Sequence, residues 1–356
     1  MMRLRNAIWL SAALLLSGVF SCSRQEEMPA TAGGSVAITF STGLQTKAAP
    51  GDGVVADGGG IYVDGSGIPD IHVFIFDGND DIVARYLSAD ATFNSIPAEC
   101  FSHTSTTATI LFTDVPAGDY SVYAVANTEG TGNWLGNMDW TSIDEVSDLE
   151  SIVFPALALG TAPTMDSGRL PLSAKGTLNV SSRHTGEVNL EMLRCTGKIT
   201  VQLIDQTENG LSMSNLSVTL SGMNATKGYL FAHDPEAPAG IGYGDISISD
   251  ATSDPSDRVT FTSGVAEYPT YVFPQANGPY TCDISFDVHY DEGGTPVTYS
   301  KSFSDLPIQN FRAENIMSIA RNQHLIIQIR ISEGHMVSFN FIVGGWTELE
   351  ESVEFD

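Results

Sequence analysis

Apolar side chains recur at every second residue in this chain, in short runs that only a pleated strand can turn to one face. Val36-Ala37-Ile38-Thr39-Phe40 is the first, and Ser121 to Val125, Ile199 to Leu203, Cys282 to Val288 and Leu325 to Ile331 repeat it. Ile71-His72-Val73-Phe74-Ile75-Phe76 is apolar almost throughout. Runs this short, rich in β-branched and aromatic residues and separated by Gly, Pro, Asn and Asp clusters, predict antiparallel sandwiches. The fold class expected is therefore mostly β, and 356 residues suffice for two domains. One segment departs from period two: Ser142-Ile143-Asp144-Glu145 has the form of a capping box, and Ile143, Val146, Leu149 and Ile152 follow at near-helical spacing, predicting one short helix. A Gly- and Pro-rich stretch from Leu157 to Gly186 separates two strand-rich halves, which places the boundary near Gly186.

The first 21 residues carry Arg3 and Arg5, then an apolar run from Ala7 to Val19 too short to serve as a spanning helix. This reads as a secretory signal peptide. Val19-Phe20-Ser21-Cys22 resembles a bacterial lipobox, in which the Cys22 thiol takes a diacylglycerol and becomes the new N-terminus. The alternative is a general signal peptide with an unrelated Cys. Beyond Cys22 the polar residues Ser23 to Glu27 read as a leash, and the Glu26-Glu27 pair loosely resembles acidic surface-export signals.

A formal net charge of −27 excludes a grip on DNA, RNA or anionic lipid, so any membrane attachment runs through the N-terminal lipid. Charged residues are only 17% of the chain, which argues for a folded protein. The seven His residues show no paired zinc spacing, and no nucleophile elbow, phosphate loop or Cys-x-x-Cys is present, so no enzyme, cofactor or metal is expected. Asp77, Asn79 and Asp81 match the first ligand spacings of a calcium loop, but Ile82 and Ser88 stand where Gly and Glu are needed. A hairpin turn is the better reading, as it is for Asp291 to Gly294. Past Cys22, the odd count of Cys100, Cys195 and Cys282 allows at most one disulfide, and Cys195 and Cys282 could pair or stay buried as thiols. Gln275, Asn277 and the tyrosines at 268, 271 and 280 could line a glycan-binding face, as could Trp134 and Trp140 beside Asn133 and Asn137; a half-exposed β-surface needs the same residue types.

Val115-Pro116-Ala117-Gly118-Asp119-Tyr120-Ser121-Val122-Tyr123-Ala124-Val125-Ala126-Asn127 resembles a characteristic stretch of the Bacteroidetes fimbrillins, the type V pilins. Further stretches resemble that family in order: Val73 to Asp77, Leu170 to Ser173, Val188 to Ile199, Ile319-Ala320-Arg321-Asn322, and Val337 to Val343 followed by Gly345-Trp346. Two positions depart from it. Leu325 stands where the family has an aromatic, and Lys47 where major pilins have Arg.

The resemblance implies two transthyretin-like β-sandwich domains in tandem, residues 48–186 and 187–356, behind a signal peptide (1–21) and a lipidated leash with a removable first strand (22–47). It implies an outer-membrane lipoprotein, trimmed at the surface by a trypsin-like protease at Lys47-Ala48, whose mature form sits in extracellular fimbriae. Expected partners are other fimbrial subunits and host or bacterial surface glycans or proteins. Assembly would proceed by strand exchange, in which a neighbour's C-terminal strand fills the groove left by the removed one. The residues suit these roles: Val36, Ile38 and Phe40 share one strand face, and Val337, Phe339, Phe341 and Val343 share another, with Trp346, Val353 and Phe355 beyond as further donor candidates. The same runs read equally as a permanent first strand and an ordinary last strand. A fimbrial tip or accessory subunit and a monomeric glycan-binding lipoprotein are the rival functions.

Overall fold

The computed structural model describes residues 34–42, 70–88, 96–104, 106–128, 138–154, 170–181, 186–207, 212–224, 227–232, 238–249, 258–292, 295–310, 312–332 and 336–345. All lie in one compact unit that begins at Gly33. In chain order the strands of the first half are β1 (Gly34–Ser41), β2 (Ile71–Phe76), β3 (Ile82–Leu87), β4 (Ala98–His103), β5 (Thr107–Val115), β6 (Gly118–Ala126), β7 (Val153–Phe154), β8 (Leu172–Val180), β9 (Gly186–Glu191) and β10 (Leu193–Arg194). The second half contains β11 (Gly197–Gln206), β12 (Ser212–Met223), β13 (Gly228–Tyr229), β14 (Gly244–Ser249), β15 (Val265–Val272), β16 (Thr281–Glu292), β17 (Thr295–Pro307), β18 (Gln323–Ser332) and β19 (Met336–Gly345).

They form two β-sandwiches in tandem. The first packs a sheet ordered β4-β5-β1-β9 on one ordered β10-β8-β6-β2-β3; the second packs β15-β11-β18-β19 on β14-β12-β16-β17. The period-two runs explain each interior. Val36, Ile38 and Phe40 meet Ile71, Val73, Ile75, Ile110, Phe112 and Val122 in the first core. Ile199, Val201, Leu203, Val218, Leu220, Ile284, Phe286, Leu325, Ile327 and Ile329 build the second. The second-half strands expected from Cys282 and from Leu325 are thus β16 and β18, and Leu325 is a buried core residue of its sandwich.

β2 is buried along its whole length because both of its faces are covered, which is why it reads as a continuous apolar run. Its outer face belongs to a third core, where Phe74, Phe76, Tyr123, Trp140, Ile143, Leu149 and Ile152 of the first half enclose Cys195, Leu230, Phe231 and Phe273 of the second. The expected helix lies here, with its cap displaced. A 3-10 turn, Trp140–Ser142, is capped by Asp139, and α1 spans only Val146–Glu150. The N-cap is Glu145, not Ser142, and Asp148 at N3 completes the capping box: its carboxylate accepts the N–H groups of Asp144 and Glu145, both at 3.0 Å.

Three further ties cross the seam between the halves. β7, just after α1, pairs with β13, and the Leu230 N–H donates to the Ile152 carbonyl at 3.1 Å. Arg321, ahead of β18, donates through one Nη to Ser173 Oγ at 2.6 Å and to the Leu230 carbonyl at 2.8 Å, with Cys195 Sγ at 3.1 Å. The buried Arg194 donates to Asn322 Oδ1 at 2.9 Å. β9 and β10 follow Gly186, yet they complete the sheets of the first sandwich, pairing with β1 and β8.

Candidate assembly site

β1 is an interior strand. It runs antiparallel to β5, from Val36 opposite Phe112 to Ser41 opposite Thr107, and parallel to β9, from Val36 opposite Gly186 to Ser41 opposite Glu191. The alternation places Val36, Ile38 and Phe40, each 0% exposed, in the core and Thr39 on the outer face, where its hydroxyl lies 3.1 Å from that of Thr109. Each buried side chain of this kind contributes about 1.5–3 kcal/mol of transfer free energy. Taking β1 out would therefore expose an apolar trough and unpair backbone on both neighbours. β5 would keep β4 on its other side, whereas β9 has no second strand partner in the sheet. Lys47, Ala48 and Cys22 lie outside the described residues.

At the other end of the chain, β19 pairs along its full length with β18 and forms the free edge of its sheet. Val337, Phe339, Phe341 and Val343 face the second core and pack against it while only partly buried. Phe339 meets Phe303 of β17 edge to face at 4.9 Å, joining the two sheets along this side. Met336 stands 68% exposed at the start of the strand. Trp346, Val353 and Phe355 lie outside the described residues.

Of the residues that could line a glycan-binding face, the structure buries several and leaves Tyr268 half-buried. Gln275 is fully buried and its side chain serves the backbone N–H of Asn224; Asn277 donates to the Gly222 carbonyl at 3.0 Å. Tyr271 and Tyr280 are buried as well, and Trp140 packs on His72 at 4.9 Å inside the third core. Amides and rings that could have met a sugar are spent on turns and packing. Trp134, Asn133 and Asn137 lie outside the described residues. Asp77 to Asp81 form the turn of the β2–β3 hairpin, the Asp77 carboxylate accepting the N–H groups of Asn79 and Asp81 at 2.8 and 3.2 Å, with Asp80 at φ +65°. β16 and β17 likewise form a hairpin, Glu292 opposite Thr295.

Cys195 and Cys282 are both buried free thiols, and Cys100 is a half-buried one. Burial pushes the Cys282 thiol up to about 12, reinforced by Asp283; it also pushes Cys195 up, against the opposing pull of Arg321. Neither is poised as a thiolate nucleophile. The seam between the halves was not visible in the sequence. Arg321 and Asn322 stood out there only as a resemblance, with no role attached.

Solved structures with this architecture are known. A candidate cell adhesion protein from Bacteroides eggerthii DSM 20697 matches with a TM-score of 0.51 at 13% identity, covering 90% of this chain and 98% of its own. Another, from Parabacteroides distasonis ATCC 8503, matches with a TM-score of 0.52 at 13% identity, covering 89% and 97%. At that identity the likeness speaks for the fold. No curated protein matches the chain. The class that the fold defines is that of tandem β-sandwich proteins. A model of the fimbrillin-A associated anchor proteins Mfa1 and Mfa2 matches residues 63–352, and the chain belongs to that family.

Proposed function

We infer that the protein is a fimbrial subunit precursor, exported as a lipoprotein through Cys22, cut at Lys47-Ala48 by a trypsin-like surface protease, and joined to other subunits by strand exchange. The observation that supports this most is the position of β1. Among the described residues it is the most N-terminal strand; it stands between two neighbours and carries three fully buried side chains, so its removal leaves a trough of defined register. A neighbour's C-terminal strand, drawn from Val337 to Phe355, has the alternation to fill it. The test is to express residues 23 to 356, treat the folded protein with a lysine-cleaving protease, and read the new N-terminus by mass spectrometry and oligomers by gel. A cut at Lys47 followed by a detergent-resistant, heat-labile ladder is expected. A clean cut with a strictly monomeric product overturns strand exchange by this chain alone.

The anchor proteins named in the family description favour a second reading. As a tip or anchor subunit, this chain would keep β1 and its lipid and accept or terminate a fibre without being trimmed. Intact Lys47 and a lipidated Cys22 on protein recovered with fimbriae would select that reading. A monomeric glycan-binding lipoprotein is the weaker alternative, since Gln275, Tyr271 and Tyr280 are buried.

A further inference from the structure

We propose that β9 is a flap whose strand pairing, among the described residues, comes from β1 alone, so that loss of β1 leaves an open sheet edge at β5 and not a slot between two strands. Its bearing on assembly rests on the reading of β1 as an exchangeable strand; its physics does not.

All six residues of β9 pair with β1, from Gly186 opposite Val36 to Glu191 opposite Ser41. The residue that follows hangs on the same strand, the Met192 N–H donating to the Ser41 carbonyl at 2.7 Å. Among the described residues no strand lies on the other side of β9, which ends the sheet. Its side chains give it little independent hold. Glu187, Asn189 and Glu191 are exposed, Val188 is half-buried, and only Leu190 is buried. Leu190 reaches across to the bare backbone of Gly176 on β8, where a Cβ would come within 2.5 Å of its Cδ2. Val188 and Leu190, with the buried Met192 just beyond the strand, are its apolar hold, and these contacts do not offset the ordering of the segment once the ladder is gone. β5 differs, since β4 pairs with it from Ala98 to His103 whether or not β1 is present.

An incoming strand then first lies antiparallel along β5, in the direction of β1, and β9 closes over it in parallel. The flap also explains how a strand can enter without threading between two fixed neighbours. Closing β9 over the newcomer adds a second ladder, which makes exit slower than entry.

Hydrogen exchange on the full chain tests this with two variants that loosen β1: Thr39→Pro, which breaks the ladder from an outward position, and Ile38→Ala, which weakens the core. Protection of the β9 amides is expected to fall with that of β1, by about tenfold, while the β5 amides that bond to β4 stay within about threefold of wild type. Wild-type β9 that keeps its protection in mild urea after β1 has opened overturns the proposal, and so does either variant in which β9 is unaffected. A Gly176→Cys/Leu190→Cys pair, oxidised to staple the flap, adds the functional arm. The staple is expected to slow ladder formation after cleavage and reduction to restore it; equal rates in both states count against a flap. If no ladder forms in either state, strand exchange fails while the exchange data still judge β9.

Discussion

His72 shows how much one residue can bind a fold to its surroundings. Its ring is 1% exposed on β2, stacked near Trp140, with Nε2 2.9 Å from Thr128 Oγ1 and Nδ1 accepting the Ser88 N–H at 3.4 Å. Thr128 passes its own proton to Asp70 at 2.9 Å, so the arrangement fits a neutral imidazole protonated at Nε2. Burial drives the His72 pKa from 6.5 down to about 3. Below pH 6.5 the unfolded chain takes up a proton that the folded chain refuses, so this contribution to stability is fully present above pH 6.5 and declines as pH falls toward 3. Between pH 7 and pH 5 it amounts to a loss of about 2 kcal/mol. Urea unfolding at both pH values is expected to show a smaller drop for His72→Gln than for wild type. An identical drop would show that carboxylates alone account for the acid response.

At the scale of the element, β1 makes the sharpest statement. Phe40→Ala empties a fully buried position and is expected to cost about 3–5 kcal/mol, whereas Thr39→Ala, one residue away on the outer face, costs about 1 kcal/mol or less in the same denaturation experiment. That contrast is the period-two pattern expressed as energy, and it is why the strands could be read from the chain. The runs at Val36, Ile71, Ser121, Ile199, Cys282 and Leu325 each became a strand, because alternation is a local property that one segment displays by itself. What was not legible was pairing between distant segments. Nothing near Gly186 says that its strand will lie beside Val36, and nothing near Phe231 says that it will enter a third core with Phe74. The helix cap lies at Glu145 and not at Ser142 because Ser142 is taken up in the 3-10 turn, its hydroxyl donating to the Asp139 carbonyl at 2.8 Å. The tyrosines at 271 and 280 misled for the same reason: an aromatic ring on a strand does not announce which face it serves until its neighbours across the sheet are known.

On the scale of the whole molecule, the third core, the β7–β13 pair and the Arg321 contacts hold the two sandwiches as a single body. Arg321→Met keeps much of the stem's bulk and removes the donors to Ser173 and the Leu230 carbonyl, at an expected cost of about 1–3 kcal/mol. Calorimetry is expected to show one unfolding transition for wild type and a broadened or split one for the variant; an unchanged single peak would place the coupling wholly in the apolar core. The long reach of β1 carries a different consequence, in time. Its partners in the sheet stand at Phe112 and Gly186, so a chain delivered N-terminus first cannot complete that sheet until Glu191 has emerged. Until then one backbone edge of β1 stays unpaired, and the high contact order of that sheet makes its closure slow. The strand that is first to arrive is among the last to find its place.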